Sequence, residues 1–261
     1  MSSRVYQGRG LGWLYSHNYS ERSLAVNEKN NDMFLTLQYR TSIPATKDLH
    51  RWCTPVKDQG SLFSSSIEAV IAMVELTQNR NFGRYIKGSA RFGYKVARNL
   101  LQLKGDKGAY VRTGSAANML FGMAPEAYWP YLTKEFDKEP PAFVYALAQN
   151  YKMTSCVRLD KPRMSNELLL TYIKCYIADG FAAAFGFPVY ESITQAEKTG
   201  KIPFPSPAEP SVAGHSVLAM GYNDDLRIMN DSSGNETVGA IIVKNSWGIA
   251  WGDQGYGYLP T

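Results

Sequence analysis

The chain reads as an α+β protein of two subdomains, a helical front and a β-rich back. Before Gly180, apolar residues recur at helical spacing; after it, short apolar segments alternate with turn residues. Helices first and strands afterwards is the pattern of α+β rather than of a wound parallel sheet. With 261 residues, the chain makes one large domain or two small ones at ~100–200 residues each, enough to bury a sizeable core.

Residues 1–34 are rich in Gly, Ser, Asn and charge and read as an irregular extension, set apart from a domain over 35–261. The run Gly8-Arg9-Gly10-Leu11-Gly12 lacks a preceding strand and reads as flexible, not as a nucleotide loop. Met33 to Tyr39 alternates apolar and polar residues and predicts a strand. The clearest helix starts near Ser64, where Ile67, Val70, Ile71 and Val74 form one stripe and Ser65 and Glu68 have capping-box spacing. A second helix is expected over Ala90–Leu103, broken by Gly105 and Gly108, and a third from near Ser115, punctuated by Pro125 and Pro130. A fourth covers Glu167–Ala178, with Gly180 as its stop. Thus about 53–150 is expected to be mainly helical and about 151–261 mainly β. Strands are predicted at Phe181–Phe187, Ser216–Tyr222 and Gly239–Lys244, with turns at Asn223–Asp224 and Ser232–Asn235. Residues 194–212 hold Pro203, Pro205, Pro207 and Pro210 and predict a long loop.

Composition narrows the function classes. Hydrophobic residues make up 44% and charged ones 20%, the balance of a folded chain. The net charge of +5 is spread without a Lys/Arg block, which argues against nucleic acid as a partner. The longest apolar run, Phe181–Tyr190, is short of the ~20 residues a membrane helix needs, so no membrane partner is expected. Cys53, Cys156 and Cys175 are too few for a disulfide framework and read as buried free thiols. His17, His50 and His215 lack ligand spacing, so neither a metal nor a cofactor is expected. The N-terminus shows no apolar h-region, which favours the cytoplasm and leaves export by another route open. Oligomeric state is not legible.

Three separated segments carry chemistry: Cys53 through Ser66, just before the strongest helix; Gly214-His215-Ser-Val-Leu-Ala-Met-Gly221-Tyr222; and Val243 through Tyr256, with Asn245, Trp247 and Trp251. A nucleophile at a helix N-terminus sits in a field that favours negative charge, and a thiolate gains most. A His on a strand can serve as its proton partner, an Asn can fix the ring, and a Gln amide can help hold an oxyanion. Taken alone, Ser65 is an N-cap, His215 a structural histidine, and Asn245 and Trp247 packing residues.

Together these segments resemble the papain-family (C1-type) cysteine peptidases, in particular their bacterial branch. Pro55-Val56-Lys57-Asp58-Gln59-Gly60-Ser61 is similar to the motif before the nucleophile. Gly214-His215-Ser216-Val217-Leu218 is similar to the histidine motif. Lys244-Asn245-Ser246-Trp247-Gly248 through Trp251-Gly252 and Gly255-Tyr256-Gly257 is similar to the asparagine motif. Gly12-Trp13-Leu14, Pro125-Glu126, Trp129-Pro130-Tyr131 and Gly200-Lys-Ile-Pro203 resemble the bacterial branch. The resemblance spans roughly residues 35 to 261. It implies a papain-like fold: a helical subdomain, a β-barrel-like subdomain and a cleft between. It gives Gln59 the oxyanion role, His215 the general base/acid role, Asn245 the orienting role and Trp247 the shielding of their contact. It also places Phe63, Gly108, Gly214 and Trp247 at the substrate. The spacing from His215 to Asn245, with a polar turn at Asn230–Glu236, predicts an extended hairpin.

The departure is at the nucleophile. Ser65 stands where the family has Cys, and Phe63 where it usually has Gly. A Cys thiol can be depressed from ~8.5 to ~3.5–7.5 and form an ion pair with imidazolium before substrate arrives; a hydroxyl must lose its proton during attack. The resemblance therefore implies a pseudopeptidase that binds a polypeptide or protein partner in the old cleft. Two alternatives stand beside it. One is a bacterial cysteine endopeptidase with its nucleophile replaced; the other is non-proteolytic Ser–His chemistry like that of silicateins, which resemble papain-family enzymes with Ser at this position. Residues 1–34 are placed across the cleft by analogy with the family's pro-segments.

Overall fold

The computed structural model describes residues 5–6, 9–10 and 43–261. The expected strand at Met33–Tyr39 and most of the extension lie outside the described residues. Within the extension, β1 (Val5–Tyr6) and β2 (Arg9–Gly10) pair antiparallel. A strand thus does precede the glycine run, contrary to the sequence reading; Val and Tyr are the residue types that favour it.

Helix α1 (Ser65–Phe82) is the central element. It is apolar on more than one side. Ile67, Ile71 and Val74 enter a core shared with the helical region, while Ala72 and Leu76 enter a core shared with the sheet. A helix wrapped in apolar residues is a buried helix, and here it divides the two subdomains. Its N-cap is Ser64, not Ser65: the Ser64 carbonyl accepts from Ile67 and Glu68 N–H at 2.9 and 3.0 Å. No side chain caps the helix. The expected capping box fails because Ser65 is already helical and Glu68 is buried in the interior.

Helix α2 (Ala90–Leu100) starts where Ser89 Oγ accepts from Phe92 N–H, and stops three residues earlier than predicted, before Gln102 at φ 55°. Helix α3 (Val111–Phe121) begins earlier than predicted and ends at Gly122. There φ is +84°, and a Cβ would lie 1.9 Å from the Ala148 carbonyl oxygen, so only glycine fits. Helix α4 (Ala142–Ala148) was not anticipated; Pro141 at its N-cap gives up no hydrogen bond there. Helix α5 (Asn166–Ala178) starts with Ser165 Oγ accepting from Leu168 N–H and is followed by Gly180 at φ +88°.

The back half is an antiparallel sheet of five strands: β3 (Thr46–Asp48), β4 (Ala183–Tyr190), β5 (Ser211–Met229), β6 (Glu236–Lys244) and β7 (Tyr256–Pro260). Strand β5 is its spine. β4 and β3 lie end to end along one edge of β5, and β6 takes the other. Asn223–Asp224 is not a turn. Asn223 stays paired with both Thr46 and Ala240, and its turn chemistry is spent on a register shift between Asn223 and Arg227. The real turn is 230–235, where Asn230 Oδ1 accepts from Ser232 and Ser233 N–H. Strand β7 was missed because its Gly-Tyr pattern reads as loop. The predicted loop at 194–212 begins as a 3₁₀ turn, Glu191–Glu197. All three cysteines are free thiols, but only Cys175 is buried; Cys53 and Cys156 are half-buried. No helix among the described residues is long and apolar enough to cross a membrane.

Candidate active site

The segment before α1 is fixed by a buried polar cross-link. Lys244 Nζ, at the end of β6, donates to Thr54 O at 2.6 Å and to Thr54 Oγ1 at 2.9 Å. Thr54 Oγ1 donates in turn to Glu75 Oε2 at 2.7 Å. Glu75 Oε1 accepts from Lys57 Nζ at 2.7 Å and from Gly88 N–H at 2.8 Å. Burial holds the Lys244 ammonium below its usual range, against the pull of Cys53 and Glu75. A satisfied buried network of this kind rigidifies what it touches. It ties the strand that leads into Asn245 to the loop that leads into Gln59.

Gln59 is fully buried. Its backbone N–H donates to Ser246 O at 2.9 Å, and its Oε1 accepts from Ser246 Oγ at 2.5 Å. Its Nε2 donates to Leu62 O at 2.7 Å, which braces the turn before α1. Tyr131 adds a strut: its hydroxyl donates to Gln59 O at 2.9 Å and meets Ser64 Oγ at 2.8 Å.

His215 lies on β5, opposite Phe187 of β4. Its Nε2 is 2.8 Å from Asn245 Oδ1. An amide oxygen only accepts, so Nε2 carries the proton and Nδ1 is the open base. Asn245 Oδ1 also accepts from Ser246 N–H at 2.8 Å. On β6, Lys244 faces Leu218; continuing that register brings His215 alongside Trp247, and the two ring centroids are 4.4 Å apart. Both rings are buried. Burial pushes the imidazole down to about 4, and the Asn245 hydrogen bond offsets only part of that. The ring is therefore neutral at pH 7.

Ser65 opens α1 and is fully buried. Neither Ser65 Oγ nor His215 Nδ1 has a hydrogen-bond partner among the described residues, so the two are not bonded to each other. The structure therefore joins His215, Asn245, Trp247 and Gln59 through Ser246 and leaves Ser65 unlinked. Gly214 sits beside His215 on β5, opposite Pro188. Phe63 and Gly108 meet through a carboxylate: Phe63 N–H donates to Asp106 at 3.0 and 3.3 Å, Tyr94 OH also donates to Asp106, and Gly108 N–H donates to Tyr94 OH at 3.0 Å. Cys53 lies apart, its thiol pushed up to about 11 by burial despite Lys244 nearby.

Asp106, Tyr94 and the Glu75 network escaped the sequence reading. Asp106 lies in a Gly-Asp-Lys-Gly run that signals only a turn, and no local pattern marks a long-range acceptor. Among the described residues no group of three or more His, Cys, Asp or Glu is placed to hold a metal.

This fold, an antiparallel sheet packed on a central helix, has counterparts among solved structures. Xylellain, a cysteine protease from Xylella fastidiosa, superposes with a TM-score of 0.74 at 25% identity, covering 97% of this chain and 90% of that one. The fold is papain-like. Within it, residues 152–260 match the papain family cysteine protease domain. The cysteine protease CMS1MS2 of Carica candamarcensis, solved in complex with E-64, superposes at a TM-score of 0.57 and 21% identity, covering 84% of this chain and 89% of that one. In sequence, an uncharacterized peptidase C1-like protein of Acanthamoeba polyphaga mimivirus is 31% identical over 210 residues, 78% of this chain. The chain spans 63% of that relative's length.

Proposed function

We propose that this papain-like chain is a papain-family member of the bacterial branch that no longer cleaves peptides and instead binds a polypeptide in its cleft. One observation carries the reading: Ser65 Oγ and His215 Nδ1 are both buried and not bonded to one another. A hydroxyl nucleophile needs its proton taken during attack. The base facing that task is an imidazole held down to about 4. Asn245 fixes the ring but, unlike a carboxylate, adds no negative charge to stabilise imidazolium. Phe63 adds bulk two residues before Ser65. The likeness to xylellain over nearly the whole chain supports the bacterial branch.

The test compares three purified forms on a broad fluorogenic peptide set: the unaltered chain, Ser65→Cys, and Ser65→Cys with Phe63→Gly. The unaltered chain is expected to be inert. The doubly changed form is expected to hydrolyse peptides in a manner blocked by a thiol-alkylating agent. Hydrolysis by the unaltered chain that disappears in Ser65→Ala overturns the proposal.

A second reading is a cysteine endopeptidase altered at one atom. The intact His215–Asn245–Trp247 arrangement favours it. Full thiol-dependent activity in Ser65→Cys alone would select it.

A further inference from the structure

Between the loop 54–58, helix α1 and the segment 85–90 lies a cavity of about 400 Å³. That is the size of a small-molecule site, ~300–1,000 Å³. It has no part in the roles given above to Ser65, His215 and Asn245.

Its charges do not balance. Glu75 is satisfied on both oxygens, by Thr54, Lys57 and Gly88. Lys57 spends its other contact on Gly88 O at 3.1 Å. Glu126 pairs with Lys87 at 3.3 Å. Glu68 is left over. It lines the cavity and is only 4% exposed, yet its Oε2 has no hydrogen-bond partner among the described residues. A buried carboxylate oxygen without a donor is costly. The residue lines the cavity, while Oε2 itself is closed off from solvent and has no donor among the described residues.

We propose that this cavity binds a small organic cation with N–H donors, a primary ammonium or a guanidinium, with Glu68 as its counter-charge. A cation fits better than an anion because both lysines in the lining are already paired and the unpaired group is acidic. Tyr85 and Tyr131 also line the space, and tyrosine rings favour a cation over a neutral group. The cavity lies one wall away from Asn245. Glu68 and Lys57 also border a water-sized pocket of about 10 Å³ that touches Lys244, Asn245 and Ser246.

Binding carries a pH signature. Burial pushes the Glu68 carboxyl up to about 7, with Lys57 and Lys244 pulling down and Glu75 and Glu126 pushing up. Tyr131 faces it as well. A cation must therefore displace a proton below that pH, and affinity rises with pH through about 7.

Calorimetric titration of the intact chain with agmatine, charged throughout this range, tests the idea. Binding is expected at pH 8 and about tenfold weaker at pH 6. Glu68→Gln is expected to abolish it. Lys87→Ala, at an exposed rim position, is expected to strengthen it several-fold, and tetramethylammonium, which lacks donors, to bind more weakly than agmatine. No binding of agmatine at pH 8, unchanged binding in Glu68→Gln, or weaker binding in Lys87→Ala overturns the proposal. Should Glu68→Gln fail to fold, the pH ratio and Lys87→Ala still decide.

Discussion

Replacing Glu68 by Gln should make the protein more stable, and only above mildly acidic pH. The carboxyl is held up to about 7, against an ordinary value of 4.5, because burial disfavours its charged form. Its folded-state pKa is thus raised. Below 4.5 the group is neutral folded and unfolded, and it costs nothing. As pH rises, the unfolded chain releases the proton while the fold retains it, so stability falls until the folded carboxyl also ionises near 7. At about 1.4 kcal/mol per pH unit, the loss is under about 1 kcal/mol at pH 5 and about 3 kcal/mol at pH 8. Gln keeps the shape and removes the titration. Urea unfolding of both forms at pH 5 and pH 8, read as ΔG at constant m, gives the comparison. Glu68→Gln should gain about 2–3 kcal/mol over the parent between the two pH values. A gap that does not widen would refute the reasoning, because it would mean Glu68 already has a charge partner in the fold.

Two further outcomes follow from the described contacts. Asn245→Ala leaves the His215 Nε2–H and the Ser246 N–H without their shared acceptor; at about 1–3 kcal/mol for each orphaned group, the urea midpoint should drop markedly, and an unchanged midpoint would show that water replaces the amide. Gly122→Ala sets a Cβ 1.9 Å from the Ala148 carbonyl oxygen at a φ of +84°; it should cost well over about 1 kcal/mol, seen as a lowered Tm, whereas Gly83→Ala, with nothing within 4 Å, should cost less.

Legibility followed the range of the forces. The stripe Ile67, Val70, Ile71, Val74 announced α1 because a helix face is local information, and Gly180 marked the end of α5 for the same reason; the Ser165 cap of α5 was not read from the sequence. The start of α1 near Ser64 was legible, but its cap was placed one residue late, since Ser64 and Ser65 are chemically identical and the capping-box spacing favours Ser65. The motifs pointed to His215, Asn245, Trp247 and Gln59, which the fold brings together. They could not reveal that Ser65 and His215 stand unbonded, because that depends on side-chain positions. Asp106 and Glu75 act across 43 and 21 residues of chain, and no short pattern encodes such a reach. Glu68 misled most: its spacing from Ser65 is that of a cap, and only packing turned it inward.

Strand β5 also governs how this protein tolerates change in length. His215 and Asn245 are 30 residues apart along the chain, but the distance that matters is set across the rungs joining β5 to β6. The tip at 230–235 only closes the loop. Residues inserted there lengthen a surface excursion and leave the ladder below it, and the imidazole and amide it positions, where they were. The spacing between these two side chains is therefore free to vary among descendants of this sequence, while a single residue added between His215 and the bulge at Ala219–Gly221 would turn the imidazole to the opposite face of the sheet.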